Sequence, residues 1–280
     1  MLDAPLSEQG IREAHTATAL LNLALPGDVP PSSGTDSGAG TRSDTGTPVA
    51  TRFPARTLHP VTAPSRSPAR TQSPVPGRTP TPVTLFTSTL ARARQTAAIV
   101  AAGLARPLAG CDADWRLNER NYGALTGRSK DDVRAEFGEE QFVAWRRSVA
   151  EAPPAMGDRL YDEFADSALF RALPPAALTR TEALSDVITR VDAFLTERVD
   201  PLLARGETVL VVAHGNSLRA LCAVIDGLSD RQIRDLNLPT GQPLVYRFDD
   251  RGHPAPFGGL YLDSVTALAA AITLANEGGT

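Results

Sequence analysis

Apolar residues return along this chain in two rhythms, one helical and one extended. Between residues 7 and 25 the spacing predicts a helix, with Ser7 as its N-cap and Leu6 and Ile11 placed to close a hydrophobic staple over the first turn. Val83-Thr84-Leu85-Phe86-Thr87 is a short β-rich run, and Leu90, Ala93, Ala97, Val100 and Leu104 follow it at helical spacing. Further along, a helical period precedes an extended run. Leu184, Val187, Ile188, Val191, Phe194, Leu195 and Val199 keep a helical period, Gly206 ends that element, and Val209-Leu210-Val211-Val212-Ala213 is apolar at every position. A run apolar on both faces predicts a buried parallel strand. It leads into His214-Gly215-Asn216-Ser217 and a further helix with Leu218, Leu221 and Val224. Alternating strands and helices predict an α/β protein, a three-layer sandwich with a mainly parallel central sheet. Ligands of such sheets sit beyond the carboxyl ends of the strands, where Thr87-Ser88 and His214-Gly215 fall.

The rhythm stops in residues 27–82. Eleven prolines and six glycines are scattered among serines, threonines and six arginines, without lysine, glutamate or apolar periodicity. Too little apolar surface is available to offset the conformational entropy of ordering such a stretch. It reads as a disordered surface insertion, with a partner-binding proline-rich segment as the alternative. The catalytic domain is thereby split into its first helix, residues 1–26, and its remainder, residues 83–280, which ends in a tail from about residue 263.

Composition narrows the class of ligand. With 28 cationic and 32 anionic side chains the net charge is −4, which gives no bulk attraction for nucleic acid or an anionic membrane. Any anion site must therefore be local. Neither an export signal nor a membrane-spanning run stands out, and Cys111 and Cys222 lie far apart without metal-ligand spacing, so the expectation is a cytoplasmic protein with neither metal nor disulfide. All the basic residues but one are arginine; the exception is Lys130.

Four polar clusters break the apolar pattern: Ser88 through Arg92 to Arg94, Asn118-Glu119-Arg120 with Tyr122, Trp145-Arg146-Arg147, and His214-Gly215-Asn216. Three carry arginine, whose planar fork matches phosphate and carboxylate oxygens, so a small, multiply charged anion is the natural ligand. Glu119 is either a general acid or a carboxylate within an ion-pair network, and spacing alone does not choose. His214 stands out by its place at a strand end. His15, His59 and His253 read as ordinary solvated or partly packed side chains, and Trp115 and Trp145 as packing anchors.

In order and spacing these clusters resemble the histidine phosphatases. Thr87-Ser88-Thr89-Leu90-Ala91-Arg92-Ala93 is similar to their strand-end motif, and Ala213-His214-Gly215-Asn216-Ser217-Leu218-Arg219 to their second histidine motif. Leu117-Asn118-Glu119-Arg120-Asn121-Tyr122-Gly123-Ala124-Leu125-Thr126-Gly127, Lys130, Trp145-Arg146-Arg147 and Asn237-Leu238-Pro239-Thr240-Gly241-Gln242-Pro243-Leu244-Val245-Tyr246 resemble the 2,3-bisphosphoglycerate-dependent phosphoglycerate mutases in particular. The resemblance implies that Arg92 and His214 surround a transferring phosphoryl group and that Glu119 gives and takes the proton of the substrate hydroxyl. It further implies that Arg92, Glu119, Arg120, Asn121, Tyr122, Lys130, Arg146, Arg147, Gly215 and Asn216 bind a small phosphorylated carboxylic acid, with 2,3-bisphosphoglycerate as primer and no metal. Interconversion of 3- and 2-phosphoglycerate in glycolysis and gluconeogenesis, through a phosphohistidine, is the implied reaction. A homo-oligomer is implied as well, and residues 267–276 resemble the family's C-terminal lid. Asn121 departs from the pattern, standing where the family usually has histidine; altered hydrogen bonding rather than lost function is expected.

A second departure is larger. The family's chemistry starts at a strand ending in arginine, histidine and glycine, whose histidine accepts the phosphoryl group. No Arg-His-Gly occurs in this sequence, and Met1-Leu2-Asp3 corresponds to a point downstream of that motif. Either the start was set too far downstream, or the chain is a pseudoenzyme that binds anions without transferring them. The first explanation is preferred on physical grounds: the strand belongs in mid-sheet beside Val209-Leu210-Val211-Val212-Ala213, and its loss exposes backbone groups and apolar faces. A phosphatase of the same superfamily and a non-catalytic binding module are the competing functions.

Overall fold

The computed structural model describes residues 3–25, 82–249 and 251–276. The insertion expected over residues 27–82 lies outside the described residues, except for Pro82 at its end.

Helix α1 (Glu8–Ala24) starts as its cap predicts: the Ser7 hydroxyl accepts the Gly10 amide at 3.1 Å, satisfying a first-turn donor that the helix itself leaves unpaired. Strand β1 (Val83–Thr87) follows, then α2 (Ala91–Gly103), against which α1 packs. All five residues of β1 are buried because it is the middle strand. β2 (Leu108–Ala113) flanks it on one side and β3 (Thr208–Val212) on the other, both parallel to it.

Alternation along these strands generates the layers. Leu85, Leu210 and Val212 meet Leu21 of α1 and Ala97 and Val100 of α2 on one face. Phe86, Val209 and Val211 meet the opposite layer, built from α7 (Leu184–Phe194), α8 (Asp200–Leu203) and α9 (Gly215–Asp226). There the rings of Phe86 and Phe194 stand edge to face, with centroids 5.2 Å apart. The chain crosses from β2 to α7 through α3 (Lys130–Phe137), α4 (Glu139–Arg147), α5 (Asp158–Ala165) and α6 (Ala168–Arg171), of which α3 and α4 share a small core of Val133, Phe142 and Trp145. Beyond α9 come α10 (Asp230–Asp235), an antiparallel pair β4 (Leu244–Val245) and β5 (Leu260–Tyr261), and α11 (Ser264–Asn276).

Two expectations need correction. The run at Val209 was expected to be fully buried, yet every residue of β3 is only half-buried. β3 pairs with β1 alone, and no other described strand lies along its second edge. The helix expected through Val199 does continue there, but not as an α-helix throughout: after Phe194 it widens into a π turn, Leu195–Val199, in which the Asp200 amide reaches back five residues to the Leu195 carbonyl, before α8 takes over. Pro201 follows directly, and its ring has no N–H to donate and needs space beside the preceding turn.

Phe86→Ala empties the contact between the sheet and α7, so it should destabilise the fold by about 3–5 kcal/mol. Urea unfolding followed by circular dichroism checks this, and a midpoint equal to that of the parent would contradict the packing described.

Candidate active site

β1 and β3 end side by side, and their next residues make the floor of the site. The Ser88 hydroxyl lies 2.7 Å from His214 Nε2 and also accepts the Leu90 amide at 3.2 Å. His214 caps α9, its own amide donating to Ser217 Oγ at 3.1 Å. On the β1 side, Leu90 offers α2 no capping side chain, and the carboxylate of Asp3 accepts the Ala91 amide instead. The Leu6 amide donates to Gln95 Oε1 at 2.6 Å, a second tie between the start of the chain and the helix turn that carries Arg92.

Glu119 and Arg120 come from an irregular segment after β2. Asn118 anchors it to the end of β1, its Oδ1 accepting both the amide and the hydroxyl of Thr89 at 2.9 Å. Tyr122 ends the segment, and Gly123 follows at φ +56°, where a Cβ would collide with the Pro154 carbonyl. Only glycine fits there. The Arg120 guanidinium is 1% exposed, lies 4.5 Å over the Tyr122 ring and donates from Nη2 to the Trp145 carbonyl. Its Nε and Nη1 are buried with no hydrogen-bond partner. Such donors are costly to leave unmade.

A cavity of about 350 Å³ opens over these groups. Arg92, Glu119, Arg120, Tyr122, Lys130 and Arg146 line it, with Trp145 and Phe142 forming an apolar wall and Ala4 reaching its rim. Six of the residues expected from sequence therefore line one cavity. The others stand elsewhere. His214, Gly215 and Asn216 form the layer behind Glu119, and Asn216 Nδ2 donates to the Tyr122 hydroxyl at 3.0 Å. Arg147 turns away, donating to the Arg234 carbonyl at 2.9 Å and to Asn237 Oδ1 at 3.1 Å. Asn121 is buried and faces the loop rather than the cavity, bonding the Thr179 carbonyl at 2.6 Å and accepting the Gly123 amide at 3.0 Å. No described residue of α11 lines the cavity; the helix follows β5 and buries Ala267.

Charge is arranged asymmetrically. Burial drives the His214 pKa down from 6.5 to about 4; Glu119 opposes the shift, and Arg92 and Arg190 add to it. The ring is thus neutral at physiological pH. Burial works against ionisation of Glu119, but His214, the Arg120 amide at 2.8 Å, the Asn216 amide and Arg92 outweigh it and hold its carboxyl below the usual range. With the imidazole neutral, the Arg120 and Asn216 donors and Arg92 are what remain to stabilise the carboxylate. Arg219 is fully buried behind Asn216, and burial, then Arg147, pushes its pKa down to about 10. The sequence motif includes Arg219 without giving it a role and does not reach Arg190, although each sits on the apolar face of its helix, Arg190 among Val187, Val191 and Phe194. No cluster of three or more metal-ligating side chains occurs among the described residues, and no described helix is long and apolar enough to cross a membrane.

A family model described as the histidine phosphatase superfamily, branch 1, matches residues 69–169 and 164–255. The 2,3-bisphosphoglycerate-dependent phosphoglycerate mutase of Clavibacter sepedonicus is 48% identical over 198 residues, 70% of this chain and 78% of that one. Those of Corynebacterium diphtheriae and Thermobifida fusca are 44% and 43% identical, each over 70% of this chain and over 79% and 80% of their own. The chain belongs to the 2,3-bisphosphoglycerate-dependent phosphoglycerate mutase family of the histidine phosphatase superfamily. That family is one of isomerases. Its wider fold is seen in a mycobacterial glucosyl-3-phosphoglycerate phosphatase, 18% identical with a TM-score of 0.52, covering 90% of this chain and 85% of that one. Mycobacterial hydrolase 1, also 18% identical, has a TM-score of 0.53 over 89% of this chain and 81% of its own. At that identity the likeness concerns the fold of the mutase domain alone.

The charge pattern predicts a pH dependence for this mutase-family domain. An unfolded His214 takes a proton near 6.5 and the folded one only near 4, so the stability contributed by the neutral ring is complete above 6.5 and is lost as pH falls toward about 4. Glu119 acts lower, its contribution fading as pH drops through a value below 4.5. The urea midpoint should fall between pH 6.5 and 4, and His214→Gln should flatten that fall. An equally steep fall in the variant would contradict the buried neutral imidazole.

Proposed function

We propose that the cavity binds a small phosphorylated carboxylic acid and serves the interconversion of 3- and 2-phosphoglycerate in cytoplasmic glycolysis and gluconeogenesis. The observation that carries this reading is Arg120, a buried guanidinium at the cavity wall with two donor nitrogens still to be paired. Arg146, Lys130 and Arg92, the last in the first turn of α2, supply further positive charge to the cavity lining. Phosphate and carboxylate groups are the ligands such forks and point charges select. The names carried by the relatives support the same substrate class.

Glu119 is held ionised by its neighbours, which makes it the group that takes a proton from a substrate hydroxyl and later returns it. Asn216 and Tyr122 orient it from behind. Arg92 and the neutral His214, held by Ser88, present fixed dipoles and charge to the phosphoryl side, which is most of what phosphoryl transfer asks of a protein. Trp145 and Phe142 keep water from one side of the cavity. The donor set also suits 2,3-bisphosphoglycerate, whose second phosphate and carboxylate Arg92, Arg120, Lys130 and Arg146 would hold. Bound there, it supplies the phosphoryl group that primes the cycle.

A second reading is binding without transfer. The observation favouring it is that His214, the one histidine of the described site, has Nε2 engaged by Ser88.

Calorimetric titration with 3-phosphoglycerate and 2,3-bisphosphoglycerate, alongside an assay for isomer exchange, separates the readings. Binding with exchange supports the mutase; binding without it supports the second reading; release of inorganic phosphate alone marks a phosphatase. Arg120→Met should weaken 3-phosphoglycerate binding roughly 10- to 150-fold, the loss expected for charge-assisted hydrogen bonds. Parent-like affinity in that variant would remove Arg120 from the site.

A further inference from the structure

Glu119 and Arg120 stand on a segment with no strand or α-helix of its own, yet both must be fixed within a fraction of an ångström to serve the cavity. Beneath the segment lies a buried ion pair that no part of the proposed chemistry uses. Glu182, just before α7, is 6% exposed, and Arg190, two turns into that helix, is 9% exposed. Arg190 Nε donates to Glu182 Oε1 at 2.9 Å and Nη2 to Oε2 at 3.2 Å, a two-pronged pairing.

Both partners also grip the segment. Glu182 Oε2 accepts the Asn121 amide at 2.7 Å, and the Glu182 amide donates to the Asn121 carbonyl at 2.9 Å. The third arm of Arg190, Nη1, donates to the carbonyl of Arg116. The pair thus holds the backbone on both sides of Glu119 and Arg120, at residues 116 and 121. We infer that Glu182 and Arg190 are positioning residues, a clamp on α7 that sets where the Glu119 carboxylate and the Arg120 fork point. Asn121 completes it, since its side chain faces the loop and its backbone takes the carboxylate.

The assignment rests on the proposed reading of the cavity only for its ligand. Deleting one partner leaves a lone buried charge, whereas replacing both by apolar residues of similar volume often leaves stability unchanged. The informative variant is therefore Glu182→Met with Arg190→Met, beside Glu182→Gln and Arg190→Lys. Cooperative urea unfolding identifies the variants that fold.

Two measurements on the full chain then test the clamp. In the first, the Glu119 carboxyl is titrated by carbon-13 NMR, assigned through Glu119→Gln; release of the segment moves its titration upward, toward the ordinary range, in the double variant. In the second, 3-phosphoglycerate affinity is measured by calorimetry. It should fall on the order of 10- to 100-fold in the double variant, because a small misplacement of positioning groups carries that scale of effect, with partial recovery in Arg190→Lys. A folded double variant with unchanged Glu119 titration overturns the clamp. Failure of the parent chain to bind 3-phosphoglycerate overturns the ligand assignment instead, and the titration still decides the clamp.

Discussion

Thr87 pairs with Val212 in the parallel ladder between β1 and β3, so the chains that leave those residues emerge next to each other at the same end of the sheet. Ser88 and His214 then meet at 2.7 Å, and each starts a turn into a helix. A parallel sheet delivers successive strand ends to one side of the molecule, which is why residues 126 apart in sequence become neighbours. Asn118 extends the same alignment one strand further, by tying the Glu119 segment to Thr89. Arg92, Glu119 and His214 therefore inherit their relation from backbone register, and side-chain bonds refine it. A one-residue slip between β1 and β3 would turn Phe86 from the α7 layer to the α1 layer and take the site apart with the core.

The helices and the strand-end motifs were legible because they are written in local periodicity. Ser7 caps where its position says, and Leu90, Ala93, Ala97 and Val100 lie on or beside the buried face of α2. The presence of Arg92, Glu119, Arg120, Tyr122, Lys130 and Arg146 around one cavity followed from motif resemblance, since no rhythm in the sequence joins residues 92, 119 and 146. Orientation was not legible. Arg146 faces the cavity while its neighbour Arg147 bonds Arg234 and Asn237, a division that depends on where α4 meets the end of α10. Asn121 turned into the loop for a similar reason: the Thr179 carbonyl that receives it arrives from a segment 58 residues away. The apolar run of β3 carries the composition of a strand covered on both sides, whereas its observed environment is an edge. That mismatch between local composition and burial occurs beside the site.

Arginines buried in the helices show how the site's charge is supported from within. Arg190 and Arg219 occupy faces that apolar residues otherwise fill, and neither lines the cavity. Both act at a distance, Arg190 by lowering the proton affinity of His214 and Arg219 by standing behind Asn216 at 3.5 Å. An arginine can only donate, so the Asn216 oxygen faces it and the amide nitrogen is left for Tyr122 and Glu119. A buried cation thereby fixes which end of an amide the carboxylate sees.

The site therefore holds an ionised carboxyl and a neutral imidazole among arginines, and each state depends on the other groups present. The proposed ligand, a phosphorylated acid, would bring several negative charges close to both. Added negative potential favours the protonated form of every neighbouring group, so it raises the proton affinity of Glu119 and of His214 together. For Glu119 this shift would run in the direction of the proposed chemistry, because a carboxylate that gains basicity as the ligand enters is better matched to a hydroxyl proton than one tuned by Arg92 and the Arg120 amide alone. The cations that bind the ligand then have their field divided between it and Glu119. Binding strength and proton transfer draw on the same arginines, and the place of Glu119 among them couples the two.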